Sequence, residues 1–120
     1  MKMKIYIAGK ISGLPMKETA VKFANATFNL INQGYDPINP VELVQNYLFE
    51  NNYLLLQLSD NKLWKIAMRV CLKELVDCDG VLLLSDYMDS RGALIESKLA
   101  IDLGIPTFHD IDKLNESWIN

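Results

Sequence analysis

Residues 81–85 read VLLLS, and this stretch decides the fold. Every position before the serine is apolar, so the segment lacks the alternation of a strand that has one face in water. A continuous apolar run of this length is typical of a parallel strand that helices cover on both faces. Residues 77–80, DCDG, come directly before it and form a turn signal. We therefore predict a buried strand of a parallel sheet.

Three other segments have the character of strands. Lys4–Ala8 is β-branched and aromatic and runs directly into Gly9. Residues 35–38 are a second short candidate. Residues 105–108 are a last one, with Pro106 near the start of the strand, where a missing N–H is tolerated. Together with residues 81–85, these segments predict a sheet of four to five strands.

Apolar residues at helical spacing separate the predicted strands. The clearest stripe precedes the stop signal Gly34 and consists of Ala20, Phe23, Ala24, Thr27, Leu30 and Ile31. Further helices are predicted to begin at residues 39–40, at Ser59 or Asp60, at Ser90 and at Ile111. This alternation predicts one α/β domain over residues 1–120, with a small doubly wound parallel sheet of the flavodoxin-like or Rossmann-like kind.

Composition excludes several classes of function. The chain has 120 residues, with 12 basic and 15 acidic side chains, one histidine, two cysteines and a net charge of −3. One histidine and two cysteines cannot build a Cys/His zinc site or a disulfide framework, so we expect no metal. The acidic balance argues against a nucleic-acid partner, because such a surface needs clustered Lys and Arg.

The apolar runs of the chain are short. The longest, residues 53–56 and 81–84, fall far below the roughly 20 residues that a membrane span requires. Near the start, two lysines and an apolar stretch imitate a signal peptide, but the stretch stops at Gly9 and Lys10. We therefore expect a cytoplasmic protein with no membrane partner.

The loops beyond the carboxyl ends of the strands are the expected ligand sites of an open α/β sheet. The first of them contains Gly9, Lys10, Ser12 and Gly13, directly before a helix. Backbone N–H groups and the lysine could hold an anion in such a loop. The alternative is a plain tight turn with a solvated lysine. The other two loops are residues 39–40 and 85–92.

The most unusual residue is Glu96. Ala93, Ala100 and Leu103 lie three residues before it and four and seven after it, which puts the carboxylate within the apolar stripe of its helix. Burial disfavours the charged form, so this position should hold a paired, hydrogen-bonded or catalytic group. The alternative is that Glu96 lies at the edge of the stripe and caps backbone amides.

The loop after residues 81–85 carries Asp86, Asp89 and Ser90. Several carboxylates beyond one strand end can divide acid and base work, because like charges separate their pKa values. The same residues can equally cap the next helix, where the dipole favours them. Trp64 is interpreted as a core residue rather than as a stacking wall for a planar base.

Four segments together resemble one protein superfamily. They are residues 5–13 (IYIAGKISG), 39–40 (NP), 78–81 (CDGV) and a pattern with Ser90, Gly92, Ala93, Glu96 and Ala100. In these segments the chain is similar to the nucleoside 2-deoxyribosyltransferase superfamily, and more narrowly to its DUF4406 branch. The resemblance spans nearly the whole chain and implies a flavodoxin-like fold.

This resemblance implies an N-glycosidase or a 2-deoxyribosyltransferase with no cofactor. In the superfamily a glutamate attacks C1′ of the sugar, expels the base and forms a glycosyl-enzyme that water or a second base resolves. Glu96 matches the nucleophile, and Tyr6 matches the tyrosine that orients it. The substrate is a nucleoside or a nucleoside 5′-monophosphate. The residues expected to bind it are Gly9, Lys10, Ser12, Gly13, Asn39, Asp86, Asp89, Ser90 and Gly92.

Two positions bear on the substrate and on turnover. In the superfamily, a serine six residues before the nucleophile, here Ser90, accompanies a 5′-phosphorylated ligand. An aspartate that assists the leaving base lies on the helix before the third strand, but residues 70–73 read VCLK in this chain. Glu74 or Asp86 would have to substitute for it.

Two other classes of function stay open. A chain with the pocket but without the acid would be a nucleotide-binding or sequestering protein, and the third class is a structural or interaction domain. A homodimer or higher homo-oligomer is expected by resemblance. Residues 53–56 and Trp118 are apolar enough to join its interface.

Overall fold

In the computed structural model of the protein, the backbone of residues 2–119 and the side chains of residues 2–117 are described. Trp118, which we expect at an interface, lies outside the described side chains. The strands are β1 (Lys4–Ala8), β2 (Asp36–Ile38), β3 (Gly80–Leu83) and β4 (Thr107–Phe108). The helices are α1 (Met16–Asn32), α2 (Pro40–Glu50), α3 (Asp60–Leu75), α4 (Arg91–Asp102) and α5 (Ile111–Ile119). Two 3₁₀ turns, Leu55–Gln57 and Tyr87–Asp89, were not predicted.

The four strands form one parallel sheet in the order β2-β1-β3-β4. Sequence order reverses between β1 and β3, so the loops that leave these two strands diverge to opposite faces of the sheet. Such a switch point opens a crevice at the carboxyl edge of an α/β sheet. The predicted α/β class with a small, Rossmann-like parallel sheet is confirmed, and it has four strands.

Helices cover both faces of the sheet. On one face, Ile5 and Ile7 of β1 pack with Phe23 and Leu30 of α1 and with Leu114 of α5. The alternate residues of β1, Tyr6 and Ala8, point to the opposite face. There they pack with side chains of α3 and α4, namely Cys71, Leu75, Ala93 and Ala100. All four residues of β3 are buried, as expected of a strand covered on both faces.

Several predicted boundaries differ from the structure: β2 begins at Asp36 rather than at Tyr35, and β4 begins at Thr107 rather than at Ile105. The third strand ends at Leu83 rather than at Ser85: Leu83 pairs with Ala8, the last residue of β1, and the Leu84 amide makes the last bond to that strand by donating to the Ala8 carbonyl. Ser59, and not Asp60, is the N-cap of α3, since its hydroxyl accepts a hydrogen bond from the Lys62 amide.

The apolar stripe of α1 is also rotated relative to the prediction. Its buried residues are Thr19, Phe23, Ala26 and Leu30, whereas Ile31 is exposed. Thr19 can be buried because its hydroxyl donates to the Pro15 carbonyl, which removes the cost of an unpaired polar group. Along residues 2–119, no helix combines the length and the apolar character that crossing a membrane requires.

Candidate functional site

The loops after β1 and β3 are joined at the switch point by Asp86. One of its oxygens accepts from the Lys10 amide at 3.0 Å, and the other forms an ion pair of 2.6 Å with the Lys22 ammonium. The same ammonium donates to the Lys10 carbonyl at 2.6 Å. Burial alone would raise the pKa of Asp86, but the hydrogen bonds and the charge of Lys22 outweigh it and lower the pKa. Asp86 therefore stays a carboxylate with both oxygens engaged.

The first glycine-containing loop has clear structural requirements. A Cβ atom on Gly9 would lie 2.8 Å from Leu84 Cδ1 and 3.1 Å from Leu84 Cβ, so a larger residue there would have to displace the side chain that follows β3. Gly13 has a φ of +82°, in the left-handed region that favours glycine. Lys10 takes part through its backbone, as described above. Gly9, Lys10 and Gly13 thus shape the loop at the crevice. Ser12, the fourth residue of this loop that was predicted to bind substrate, lines the cleft described below.

The carboxyl group of Glu96 lies inside the α3/α4 face of the sheet. Glu96 is 6% exposed and Tyr6 is 0% exposed, and the Tyr6 hydroxyl donates a hydrogen bond to Glu96 Oε2. Ala93 and Ala100 are buried beside it, as the stripe predicts, whereas Leu103 at the end of α4 is exposed. The alternative that Glu96 caps backbone amides is wrong: Ser90 is the N-cap of α4, and its hydroxyl accepts from the Ala93 amide.

Burial makes this carboxyl group unusual. Removal from water raises the pKa of Glu96 to about 7, although the hydrogen bond from Tyr6 acts in the opposite direction. Burial, and then the charge of Glu96, raises the pKa of Tyr6 well above its ordinary value, so the hydroxyl keeps its proton and remains a donor. Near neutral pH, Glu96 is therefore divided between an acid and a carboxylate.

A cleft of about 370 Å³ lies at the amino ends of α3 and α4, and its lining contains neither Tyr6 nor Glu96. Four residues predicted to bind substrate line it: Ser12, Asp89, Ser90 and Gly92. Gly92 precedes Glu96 by one helical turn on the same face of α4, a rise of about 6 Å. The cleft therefore reaches the first turn of α4, the helix that also carries the buried Glu96 carboxyl group.

Four further cleft residues were missed from the sequence: Asp60, Asn61, Trp64 and Arg91. Trp64 is partly buried and lines the cleft, so its assignment to the core is wrong. The Arg91 guanidinium lies over the indole ring, 4.3 Å from its centroid, in a cation–π contact. The sequence did contain one signal for these residues, the predicted N-cap at residues 59–60. The amino end of a helix is a place where anionic ligands bind.

Two other predicted groups, Asn39 and Glu74, lie elsewhere. Asn39 caps α2 at the end of the edge strand β2, where its side chain accepts from the Val41 amide. Glu74 forms an ion pair of 3.2 Å with Lys4, at the start of β1 and hence at the edge of the sheet opposite the cleft. Within the described part of the chain, no group of three or more His, Cys, Asp or Glu residues is arranged to hold a metal ion.

A second cleft, of about 420 Å³, lies on the α1/α5 side of the same sheet edge. Its polar lining includes Lys22, Ser85, His109 and Asp110. Lys22 is already paired with Asp86, and Asp110 accepts from the Lys113 amide at the start of α5. None of the residues predicted from the sequence to bind substrate lines this second cleft.

The described residues form a four-stranded parallel α/β domain with a buried Tyr–Glu pair on its α3/α4 face and a cleft at the amino ends of those two helices. Comparison with protein families matches residues 3–109 to the domain of unknown function DUF4406. The chain belongs to this family. Neither the curated proteins nor the solved structures contain a match to it.

Proposed function

We propose that this protein is an N-glycosidase or a 2-deoxyribosyltransferase that acts on a nucleoside or a nucleoside 5′-monophosphate, with Glu96 as nucleophile. The observation that carries the proposal is the buried Glu96 carboxyl group, held by the Tyr6 hydroxyl on a helix whose first turn, at Gly92, lines a polar cleft. A buried carboxyl group whose hydrogen-bond partner carries no charge is costly to ionise, so a chemical role gives a reason for it. The similarity of the sequence to the nucleoside 2-deoxyribosyltransferase superfamily supports the same assignment.

The proposed reaction is a double displacement. One oxygen of ionised Glu96 forms a bond to C1′ of the sugar while the bond from C1′ to the base nitrogen breaks. The electron pair of that bond leaves with the base, which takes up a proton. Water then attacks C1′, loses a proton and restores the Glu96 carboxylate, or a second base takes the place of water. The Tyr6 hydroxyl orients the attacking carboxylate throughout.

The source of the proton for the leaving base is restricted by the charges around the site. Asp86 stays ionised beside Lys22, so it cannot act as the acid. Glu74 is paired with Lys4 at the opposite edge of the sheet. Asp60 and Asp89 are the carboxyl groups that line the cleft, and they are the groups available to bind a sugar hydroxyl or the base.

The amino end of α4 favours a phosphorylated substrate. Ser12, Ser90 and the Arg91 guanidinium line the cleft at the first turn of this helix. A helix amino end attracts anions, and an arginine adds charge and directed donors for a phosphate group. This arrangement supports a nucleoside 5′-monophosphate over a free nucleoside.

The test is to incubate the protein with a panel of nucleosides and 5′-monophosphates and to follow free base by chromatography. We expect Glu96→Gln to lower base release at least about 1000-fold, because the amide cannot act as the nucleophile. Glu74→Gln is the matched control and should retain activity, since Glu74 is a partly exposed glutamate away from the cleft. Base release should rise with pH around a midpoint near 7, where Glu96 ionises. Turnover that survives Glu96→Gln would overturn the mechanism.

A nucleotide-binding protein without turnover is the second candidate. It is favoured by the low exposure of Glu96, which is 6%, and by the engagement of Asp86 and Glu74 in ion pairs. Thermal stabilisation by nucleotides with no release of base across the panel would support this candidate and exclude the enzyme. The same experiment with Glu96→Gln would then show unchanged nucleotide binding.

Self-association is a further part of the proposal. Phe49 and Leu56 are 85% and 101% exposed, and the residues between them include exposed Leu54 and Leu55. Apolar side chains this exposed and this close together are typical of a surface that another chain covers. Light scattering at several concentrations should give the mass of a homodimer or a larger homo-oligomer, and the mass of one chain throughout would contradict it.

A further inference from the structure

Arg91 brings a positive charge to the cleft at the amino ends of α3 and α4. Its guanidinium carbon lies 4.3 Å from the centroid of the Trp64 ring. Within the described part of the chain, the guanidinium makes no ion pair and no hydrogen bond. The ring face attracts a cation but supplies no acceptor oxygen, so the five N–H groups of the arginine are available to a ligand.

Two carboxylates of the same cleft could have taken this charge. Asp60 and Asp89 both line the cleft, but neither forms an ion pair with Arg91. A guanidinium pairs with a carboxylate through two parallel hydrogen bonds, which would use the donors that an anionic ligand needs. The guanidinium lies on Trp64 instead, and its charge is not neutralised by the protein.

The close approach of α4 to α3 places the indole ring beside the arginine. Trp64 and Met68 are one turn apart on α3 and therefore share a face of the helix. A Cβ atom on Gly92 would lie 3.0 Å from Met68 Sδ and 3.8 Å from Trp64 Nε1, so the first turn of α4 packs closely on this face. Arg91 directly precedes Gly92. The partly buried indole is thus a firm support for a side chain that has many rotamers of its own.

From these contacts we infer that Trp64 is a positioning residue for Arg91: the indole ring holds the guanidinium in the cleft, apart from the two carboxylates, ready to bind the 5′-phosphate of the substrate. The inference rests on the proposed function for the identity of the substrate. An arginine that is held in place before the ligand arrives loses less entropy on binding, which strengthens the contact. Trp64 thereby determines specificity, because a free nucleoside lacks the group that Arg91 binds.

An indole ring that lines a cleft could also contact a ligand directly, by stacking on a planar base. The two roles differ in how they depend on Arg91. A residue that acts through Arg91 has no effect on phosphate binding once the guanidinium is removed, whereas a residue that contacts the ligand itself keeps its effect. A probe with a phosphate but no base separates the two roles further.

The experiment measures the dissociation constant of 2-deoxyribose 5-phosphate by NMR titration, with 2-deoxyribose as the comparison that lacks the phosphate. Arg91→Met should weaken binding of the phosphorylated probe about 10- to 100-fold, because charged donors to the phosphate are lost. Trp64→Leu should weaken it about 3- to 5-fold, and Trp64→Phe, which keeps an aromatic ring, less than about 2-fold. Binding of 2-deoxyribose should stay unchanged in all three. Arg69→Met removes an exposed arginine of α3 outside the cleft lining and is the matched control, which should bind like the native protein.

The double variant Trp64→Leu/Arg91→Met decides how Trp64 acts. It should bind the phosphorylated probe as weakly as Arg91→Met alone. A further loss in the double variant as large as that caused by Trp64→Leu alone would overturn the inference, and so would native affinity in Trp64→Leu or no binding by the native protein.

The native protein supplies a second measurement that does not depend on how well the Trp64 variants fold. The ring current of the indole should shift the side-chain protons of Arg91 upfield, and the shift should persist when the phosphorylated probe is bound. Loss of the shift on binding would mean that the guanidinium leaves the ring to reach the phosphate, which contradicts a positioning role.

These measurements need no turnover, so the inference and the proposed function can fail separately. The expected binding pattern in a protein that releases no base would reject the enzyme and retain the inference. In a protein that does release base, Trp64→Leu should raise KM for 5′-monophosphates about 3- to 5-fold and leave kcat unchanged. Base release with the same KM in the native protein and Arg91→Met would reject the inference alone.

Discussion

Two carboxylates near the carboxyl edge of the sheet, Glu96 and Asp86, are held in opposite ways. They are ten residues apart, and both are shielded from water, Glu96 almost completely and Asp86 to a side-chain exposure of 27%. The partner of Glu96 is the neutral hydroxyl of Tyr6, whereas the partner of Asp86 is the charged ammonium of Lys22. Burial dominates in the first case and raises the pKa of Glu96 to about 7, while in the second the hydrogen bonds from Lys22 and the Lys10 amide, with the charge of Lys22, together outweigh burial and lower the pKa of Asp86.

This difference assigns separate tasks to the two groups. A carboxylate that is permanently ionised and joined to two loops fixes their relative position, because its charge cannot be lost near neutral pH. A carboxyl group that changes its charge near neutral pH is suited to chemistry. Asp86 therefore preserves the shape of the crevice, and Glu96 is the group to which the proposed reaction assigns the attack on the sugar.

The largest expected effect is on how stability depends on pH. Native Glu96 keeps its proton up to about pH 7, whereas the unfolded chain loses it near the ordinary value of 4.5. Between these pH values the native state binds more protons, so the free energy of unfolding falls as the pH rises, by up to about 3 kcal/mol. Glu96→Gln carries no charge and should lack this loss. Urea unfolding at pH 5 to 8 should show it more stable than the native protein by about 1 to 3 kcal/mol at pH 8.

Glu74→Gln is again the matched control for this measurement. It removes a glutamate whose side chain is 33% exposed and ion-paired, and so it should keep the native dependence on pH. Other titrating groups contribute equally to all three proteins and cancel in the differences. Parallel curves for the native protein and Glu96→Gln would contradict the buried, proton-holding state of Glu96.

A smaller effect is expected when the charge of Asp86 is removed. Asp86→Asn keeps an acceptor for the Lys10 amide but loses the ion pair with Lys22, which should cost about 1 kcal/mol because both side chains are partly exposed. Because the folded pKa is lowered, this stability is present above the ordinary value of 3.8 and is lost as the pH falls through the folded pKa. The contribution of Asp86 to the free energy of unfolding therefore depends on pH with the opposite sign to that of Glu96.

A double-mutant cycle of Asp86→Asn and Lys22→Met isolates the ion pair. We expect a coupling free energy of about 1 kcal/mol at pH 7 that shrinks in 1 M salt and at pH 3. Urea unfolding of the four proteins supplies it. A coupling that is the same at pH 3 and at pH 7 would show that charge is not what joins the two loops.

The sequence indicated the environment of Glu96 more clearly than that of Asp86. An acidic residue within the apolar stripe of a helix is a local anomaly, so the burial of Glu96 was predictable from Ala93 and Ala100 alone. The partner of Asp86 was not predictable, because Lys22 lies 64 residues away on α1 and meets Asp86 only through the folding of the chain. Trp64 was assigned to the core for a similar reason. The helical spacing of residues on α3 does not reveal that α4 begins opposite Trp64 and that a cleft lies between the two helices.

The smallest effect is expected from a third carboxylate, Asp102 at the end of α4. It forms an i,i+4 pair of 3.4 Å with Lys98, and the two side chains are 59% and 79% exposed. Water screens such a pair, and an acidic residue at a helix carboxyl end is disfavoured by the dipole. Asp102→Asn should therefore change the free energy of unfolding by less than about 0.5 kcal/mol in either direction. Urea unfolding at pH 7 measures it. A loss as large as that of Asp86→Asn would mean that the ion pair itself, and not the partial burial that distinguishes Asp86, sets the strength of these contacts.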